Sequence, residues 1–156
     1  FPENSKEHHQ AKALSTRTFE LIDFLVDRLP FDKQAENTAC KVSLHTSCCA
    51  QREMNVAHTW QAILGKLNNI EVHLPVQADE CCGFGGTFAI KSPAISAVMT
   101  QDKCQHLLKS EPDAIVSGDS GCLMNIGEHL KFEGKNEHCL HLASFIAQRF
   151  GLSHAK

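Results

Sequence analysis

IEVHLPVQADECCGFGGTFAIKSPAIS (residues 70–96) runs from a short apolar segment through a cysteine- and glycine-rich turn into the start of a helix. Residues 70–76 have the β-rich, partly alternating look of a strand that ends near Pro75. Ser92 followed by Pro93 reads as an N-cap and a first-turn proline, so a helix is expected from there to about Lys109. The order strand, turn, helix recurs on either side. KVSLH (41–45) reads as a strand, polar HTSCCAQRE follows, and VAHTWQAILGKL (56–67) carries apolar residues at helical spacing. DAIVSG (113–118) reads as a third strand, DSGCLMNIGEHL turns into a short helix, and LHLASFIAQRF (140–150) is expected as the last helix after a polar loop.

Upstream, Leu14, Leu21, Ile22, Leu25 and Leu29 form one apolar stripe, which predicts an amphipathic lead helix over 13–29, within a lead segment 1–30 closed by Pro30. Strands that alternate with helices, without hairpin turn signals, argue for crossover units. The expected fold is α/β, a small parallel sheet with helices on both faces. In such sheets ligands bind beyond the carboxyl ends of the strands.

The chain has 156 residues, 42% of them hydrophobic, enough for one core and one domain spanning 1–156. Its formal net charge of -3 comes from interspersed acids and bases, with no basic stripe to follow a phosphate backbone, so nucleic acid is not expected as a partner. No apolar run approaches the roughly 20 residues of a membrane span, and the polar opening FPENSKEHHQ lacks a signal-peptide pattern. A cytoplasmic chain is expected, and a start on Phe reads as mid-protein sequence.

Eight cysteines stand at 40, 48, 49, 81, 82, 104, 122 and 139. In a long, helix-rich chain without a secretion signal, clustered cysteines point to metal or redox chemistry rather than a disulfide scaffold. Cys48 and Cys49 follow the first strand, Cys81 and Cys82 the second, and Cys122 the third. Thiolates gathered on one side of a sheet repel one another, and metal coordination offsets that cost. Cys48, Cys81, Cys82 and Cys122 are therefore the expected metal ligands, with Gly83, Gly85 and Gly86 letting the backbone approach and aim amide N–H groups at sulfur. Cys49 is held as a further ligand candidate; the position of Asp119, just before GCLMNI, suits a helix N-cap better than a ligand, and only the resemblance described below makes it a ligand candidate. Cys40, Cys104 and Cys139 read as buried packing thiols. Of ten histidines, His45 alone is kept in view, because it adjoins the site. No hydrolase elbow, Walker loop or dinucleotide fingerprint is present, since the G-F-G-G run lacks the required spacing.

HTSC, ECCGFGGTFAIKSPAIS and SGDSGCLMNI resemble the signatures of the cysteine-rich CCG domain of iron–sulfur oxidoreductase subunits. The long CCGFGGTF and D-x-GCLMNI stretches, with HLASFIAQ near the end, are most similar to the lactate utilisation protein A family. The likeness spans roughly residues 11–150. It implies that the chain is the C-terminal half of a longer, two-repeat protein. It also implies that Cys48, Cys81, Cys82 and Cys122 hold a [4Fe–4S] cluster, replaced by zinc or lost in an aerobic preparation, with Arg52 near the cluster's negative charge. Two positions depart from the family pattern: Asp119 takes the first place of a closing Cys-x-x-Cys, and Cys49 stands where a histidine is usual.

The function implied is an iron–sulfur electron-transfer subunit of an L-lactate oxidation complex. It would be an oxidoreductase component not catalytic alone, with the N-terminal half and the other subunits as partners. The alternative is a zinc-binding structural or interaction domain built on the same cysteines, since four sulfurs also suit tetrahedral zinc. A thiol redox module cycling Cys81 and Cys82 is a third reading, weakened by the strain of a disulfide between adjacent cysteines.

Overall fold

The computed structural model describes residues 1–36, 38–135 and 138–152. Residue 37 of the first polar connection, residues 136 and 137 of the polar loop before the last helix, and residues 153–156 lie outside the described residues. In chain order the elements are α1 (Lys6–Ser15), α2 (Leu21–Leu25), β1 (Cys40–Leu44), α3 (Ala57–Gly65), β2 (Ile70–His73), α4 (Phe88–Lys91), α5 (Pro93–Leu108), β3 (Ala114–Ser117), α6 (Ser120–Phe132), β4 (Cys139–His141) and α7 (Leu142–Arg149). The four strands form one all-parallel sheet in the order β2-β1-β3-β4.

Side chains alternate across a strand, and here both faces are covered, so the central strands are buried on both sides, with Ser43 and Ser117 the polar exceptions. Val42, Leu44, Ala114 and Val116 pack on one face with Trp60, Ile63 and Leu64 of α3 and Leu142, Phe145 and Ile146 of α7. Ile115 points the other way, to Cys104 and Leu107 of α5 and Ile126 and Leu130 of α6. The chain runs from β1 outward to β2, then crosses to β3 on the opposite side of β1. The winding therefore changes direction between β1 and β3, the place where an open parallel sheet opens a crevice at its carboxyl end.

The lead helix over 13–29 is not continuous. Helix α1 ends at Ser15, where the Thr16 and Thr18 hydroxyls donate to the carbonyls of Ala13 and Leu14, both at 3.0 Å. The Glu20 carboxylate then starts α2 by accepting from the N–H groups of Ile22 (2.8 Å) and Asp23 (2.9 Å). Local side-chain bonds to the backbone compete with helix continuation, and the stripe alone does not reveal them. The last helix starts two residues later than its pattern suggests, because residues 139–141 pair with β3 as an edge strand. His141 serves as its N-cap, its Nδ1 accepting from the Ala143 N–H at 3.2 Å. Ser92 occupies the N-cap position of α5 without a side-chain cap bond, and its N–H donates instead to Phe88 O (2.8 Å), so α4 leads straight into α5. Among the described residues no helix is long and apolar enough to cross a membrane.

Gly118, directly after β3, lies against the Trp60 ring so closely that a Cβ there would overlap it. Gly118→Ala is expected to cost roughly 1–3 kcal/mol, as overpacking of a filled core does. Urea unfolding followed by the fluorescence of Trp60, the single tryptophan, checks this; an unchanged midpoint would mean that the ring has room to move.

Candidate metal centre at the strand ends

The loop after β2 is held from behind by two helices. Asn125 Nδ2 of α6 donates to Cys82 O (2.9 Å), and Thr100 Oγ1 of α5 lies 2.9 Å from the same oxygen. Ser96 Oγ donates to Gly83 O at 2.8 Å, and Lys103 Nζ to Gln77 O at 2.6 Å. With its carbonyls turned towards the helices, the loop presents N–H groups to sulfur: Gly83 N–H donates to Cys81 Sγ at 3.4 Å, and Phe84 N–H bonds the Cys82 thiolate. The turn needs glycine at position 83, where φ is 82° and a Cβ would sit 2.6 Å from Ser96 O and 2.8 Å from Thr100 Oγ1. Gly85 and Gly86, also at positive φ, carry the exposed bend into α4.

The loop after β1 supplies the second wall. His45 N–H still donates to Val116 O at 2.9 Å, which fixes this residue between β1 and β3 with only 1% of its surface exposed. Ser47 Oγ accepts from Ala50 N–H (3.1 Å), and Met54 N–H reaches back to Cys49 O (3.0 Å), closing a wide helical turn over Cys49–Glu53. Gln51 Nε2 joins this wall to the next loop, donating to Thr46 Oγ1 (2.5 Å) and Ala78 O (3.2 Å). The third wall is the start of α6. Asp119 is its N-cap, the carboxylate accepting from Cys122 N–H at 3.1 Å. Gly121 admits the Phe84 ring, which a Cβ there would meet at 2.5 Å.

The donor atoms of His45, Cys82 and Cys122 lie within 4.8 Å of one another, and all three residues are buried. The Cys122 thiol donates to Cys82 and is the main cause of Cys82 being lowered to about 5; the neighbouring His45 ring and the Phe84 N–H add to it against burial. The same bond, with burial, pushes Cys122 far up. The His45 ring lowers Cys82 through a side-chain contact and its charge, although neither ring nitrogen stands in hydrogen-bond geometry to any described group. Burial raises Cys81, with Cys82 and Cys48 contributing, and Cys48 also acts on Cys122, so these thiols share one electrostatic neighbourhood. Behind the loop, burial lowers Lys103, opposed by Glu80, Asp79, Cys82 and Cys81.

Of the residues expected from sequence, Cys82 and Cys122 thus meet at the centre, with Cys81 half-buried and Cys48 exposed at its rim. Cys49 and Arg52 are exposed on the turn after β1, and Asp119 spends its carboxylate on the helix cap. Cys40 and Cys104 sit in packing positions; burial drives Cys104 up to about 12. The supports Ser96, Thr100, Lys103 and Asn125 were missed. Their one sequence signal is the polar run Ser96, Thr100, Lys103, spaced to line one face of α5, where an ordinary packing face would be apolar.

A thiol- and imidazole-lined crevice at the switch point of a parallel sheet, backed by amide donors, defines a cysteine-rich metal-site class of α/β domain. Residues 42–127, more than half of the chain, match the CCG cysteine-rich domain, and the chain belongs to that family. It is 34% identical over 148 residues to a Lactate utilization protein A 2 of Bacillus cereus, and 39% identical over 134 residues to Lactate utilization protein A of Oceanobacillus iheyensis. These alignments cover 95% and 85% of this chain but 61% and 54% of the relatives, so the chain spans little more than half of their length.

Two outcomes are expected. Asp119→Ala lowers stability by about 1 kcal/mol, the usual cost of losing a cap, and leaves metal uptake intact; a matching loss of metal would make Asp119 a ligand. In the metal-free chain a thiol reagent modifies exposed Cys48 and Cys49 first, while Cys104, 1% exposed, reacts only on unfolding. Mass-spectrometric peptide mapping reads that order.

Proposed function

We propose that this domain holds an iron–sulfur centre of the [4Fe–4S] kind and relays electrons within an L-lactate-oxidising assembly. The observation that carries this reading is the buried group of His45, Cys82 and Cys122, reached from three different strand ends and faced by amide N–H groups. Thiolate and imidazole donors are soft enough for iron–sulfur chemistry and unsuited to hard cations such as magnesium or calcium. Cys48, Cys81, Cys82 and Cys122 would hold the group, with Gly83, Gly85 and Gly86 shaping the loop around it. When bound, it supplies one-electron transfer at a potential set by ligand charge, hydrogen bonds to sulfur and solvent exposure.

The chain's own residues serve that chemistry in distinct ways. Gly83 and Phe84 donate to cysteine sulfur and disperse its negative charge. The Phe84 ring, seated on Gly121, covers one side of the crevice. Lys103 places an amino group under the acidic and thiol-rich loop. Lactate is the process named in the relatives. Its two-electron oxidation falls to another subunit, because the sequence carries no flavin or nicotinamide fingerprint, and the remainder of the longer protein together with that subunit are the partners.

Anaerobic reconstitution with iron and sulfide is expected to load the chain and give a brown protein, whereas stoichiometric zinc without iron uptake would replace this reading with the zinc one. Serine at position 48, 81, 82 or 122 should abolish or badly impair loading, since serine is a poor iron ligand, while Cys40→Ser and Cys104→Ser should load normally. Iron per chain measured across the set decides, and equal loss from both groups would remove the convergence argument.

A further inference from the structure

His45 is the one buried side chain of the crevice whose polar atoms have no task in the fold. Its backbone completes the pairing of β1 with β3, while neither Nδ1 nor Nε2 has a hydrogen-bond partner among the described residues. An imidazole carries a lone pair on one nitrogen and, when neutral, a proton on the other, and a folded chain normally satisfies both. The ring does not turn away to solvent, for the residue is 1% exposed. It stands with Cys82 and Cys122 in a group whose donor atoms lie within 4.8 Å of one another, close enough for one metal atom to bind all three.

The two candidates that depart from the family pattern are less well placed. Asp119 accepts the Cys122 N–H and so lies beside the crevice as a helix cap, and Cys49 is exposed on the outside of the turn after β1. Buried imidazole, in contrast, is a good ligand for both iron and zinc, and it carries no negative charge into a site that already gathers thiolates.

We propose that His45 is a direct ligand of the metal centre, binding through a ring nitrogen alongside Cys82 and Cys122, so that the site is mixed imidazole–thiolate rather than all-thiolate. This rests on the iron–sulfur reading for its redox consequence but not for the ligation itself. A neutral imidazole at this position carries one negative charge fewer than a thiolate would there, which eases reduction and raises the potential. His45 thereby sets the centre to accept electrons more readily than a cysteine at the same position would.

The test uses the whole chain, reconstituted without oxygen in the presence of iron, sulfide and zinc, and grown with 15N-labelled histidine. If iron loads, pulsed electron paramagnetic resonance of the reduced centre should show a histidine nitrogen coupling that His45→Asn loses. His45→Cys, which offers a thiolate in the same place, should keep iron and shift the potential downward, a result that a merely structural histidine would not give. Iron bound with no histidine nitrogen coupling, or with a coupling that survives in His45→Asn, overturns the ligand proposal and leaves the iron–sulfur reading standing. If only zinc loads, the iron–sulfur reading fails; imidazole scattering in zinc X-ray absorption, lost in His45→Asn, then still supports the ligand, and its absence overturns it. A chain that takes up neither metal overturns both. Should His45→Asn fold poorly, which circular dichroism reveals, His45→Cys takes its place, since it too must lose the histidine coupling while keeping iron.

Discussion

The double hold on the Cys82 carbonyl is the contact on which the rest of the site depends. Asn125 and Thr100 reach that oxygen from two different helices, and Ser96 fixes the next carbonyl one turn away on α5. A peptide plane has two ends. Turning its oxygens into the helix layer leaves the following N–H groups facing the crevice, where Gly83 and Phe84 find sulfur. The positive φ of Gly83 and the exclusion of a Cβ there are consequences of the same hold, since a side chain would strike Ser96 and Thr100.

Sheet topology brings the other donors to this loop. Because the winding reverses between β1 and β3, the chain leaves those neighbouring strands in opposite directions and a gap opens between their ends. His45 fills one side of the gap and the start of α6 the other. Two sulfurs in so dry a place cannot both be ionised without a compensating charge, and their contact lowers Cys82 while raising Cys122. In the proposed metal-bound form a cation would displace the Cys122 proton and supply that charge.

Much of this was legible in sequence, and the failures have identifiable causes. Three strands and their following helices were read from short apolar runs with turn residues behind them, and both faces of the sheet are covered as expected. Strand β4 escaped because three residues are too short a run to read as a strand and run into the start of the following helix, from which only pairing with β3 separates them. The lead helix was overextended because threonine back-bonding and a glutamate cap interrupt it without breaking the apolar spacing. Within the site, the cysteine loops announced themselves through composition, whereas Asn125 and Thr100 act on backbone oxygens and carry no motif of their own. His45 was visible only as the first residue of HTSC, kept for its place beside the site. Its burial between β1 and β3 depends on the strand order, which a single sequence does not state.

The donors also differ in depth. His45, Cys82 and Cys122 are buried, Cys81 is half-buried and Cys48 is exposed. A centre held this way has its inner side fixed by the sheet and helices and its outer side at the surface, through the loop after β1. On the proposed reading, electron transfer needs short distance to a partner but no opening of the core, so exposed Cys48 as a ligand on the rim would give a route that costs no unfolding. The inner donors come from three elements far apart in sequence, and none of them could form the group in an unfolded chain. Metal taken up by the three strand ends, as proposed, would therefore also stabilise the sheet arrangement that brought them together.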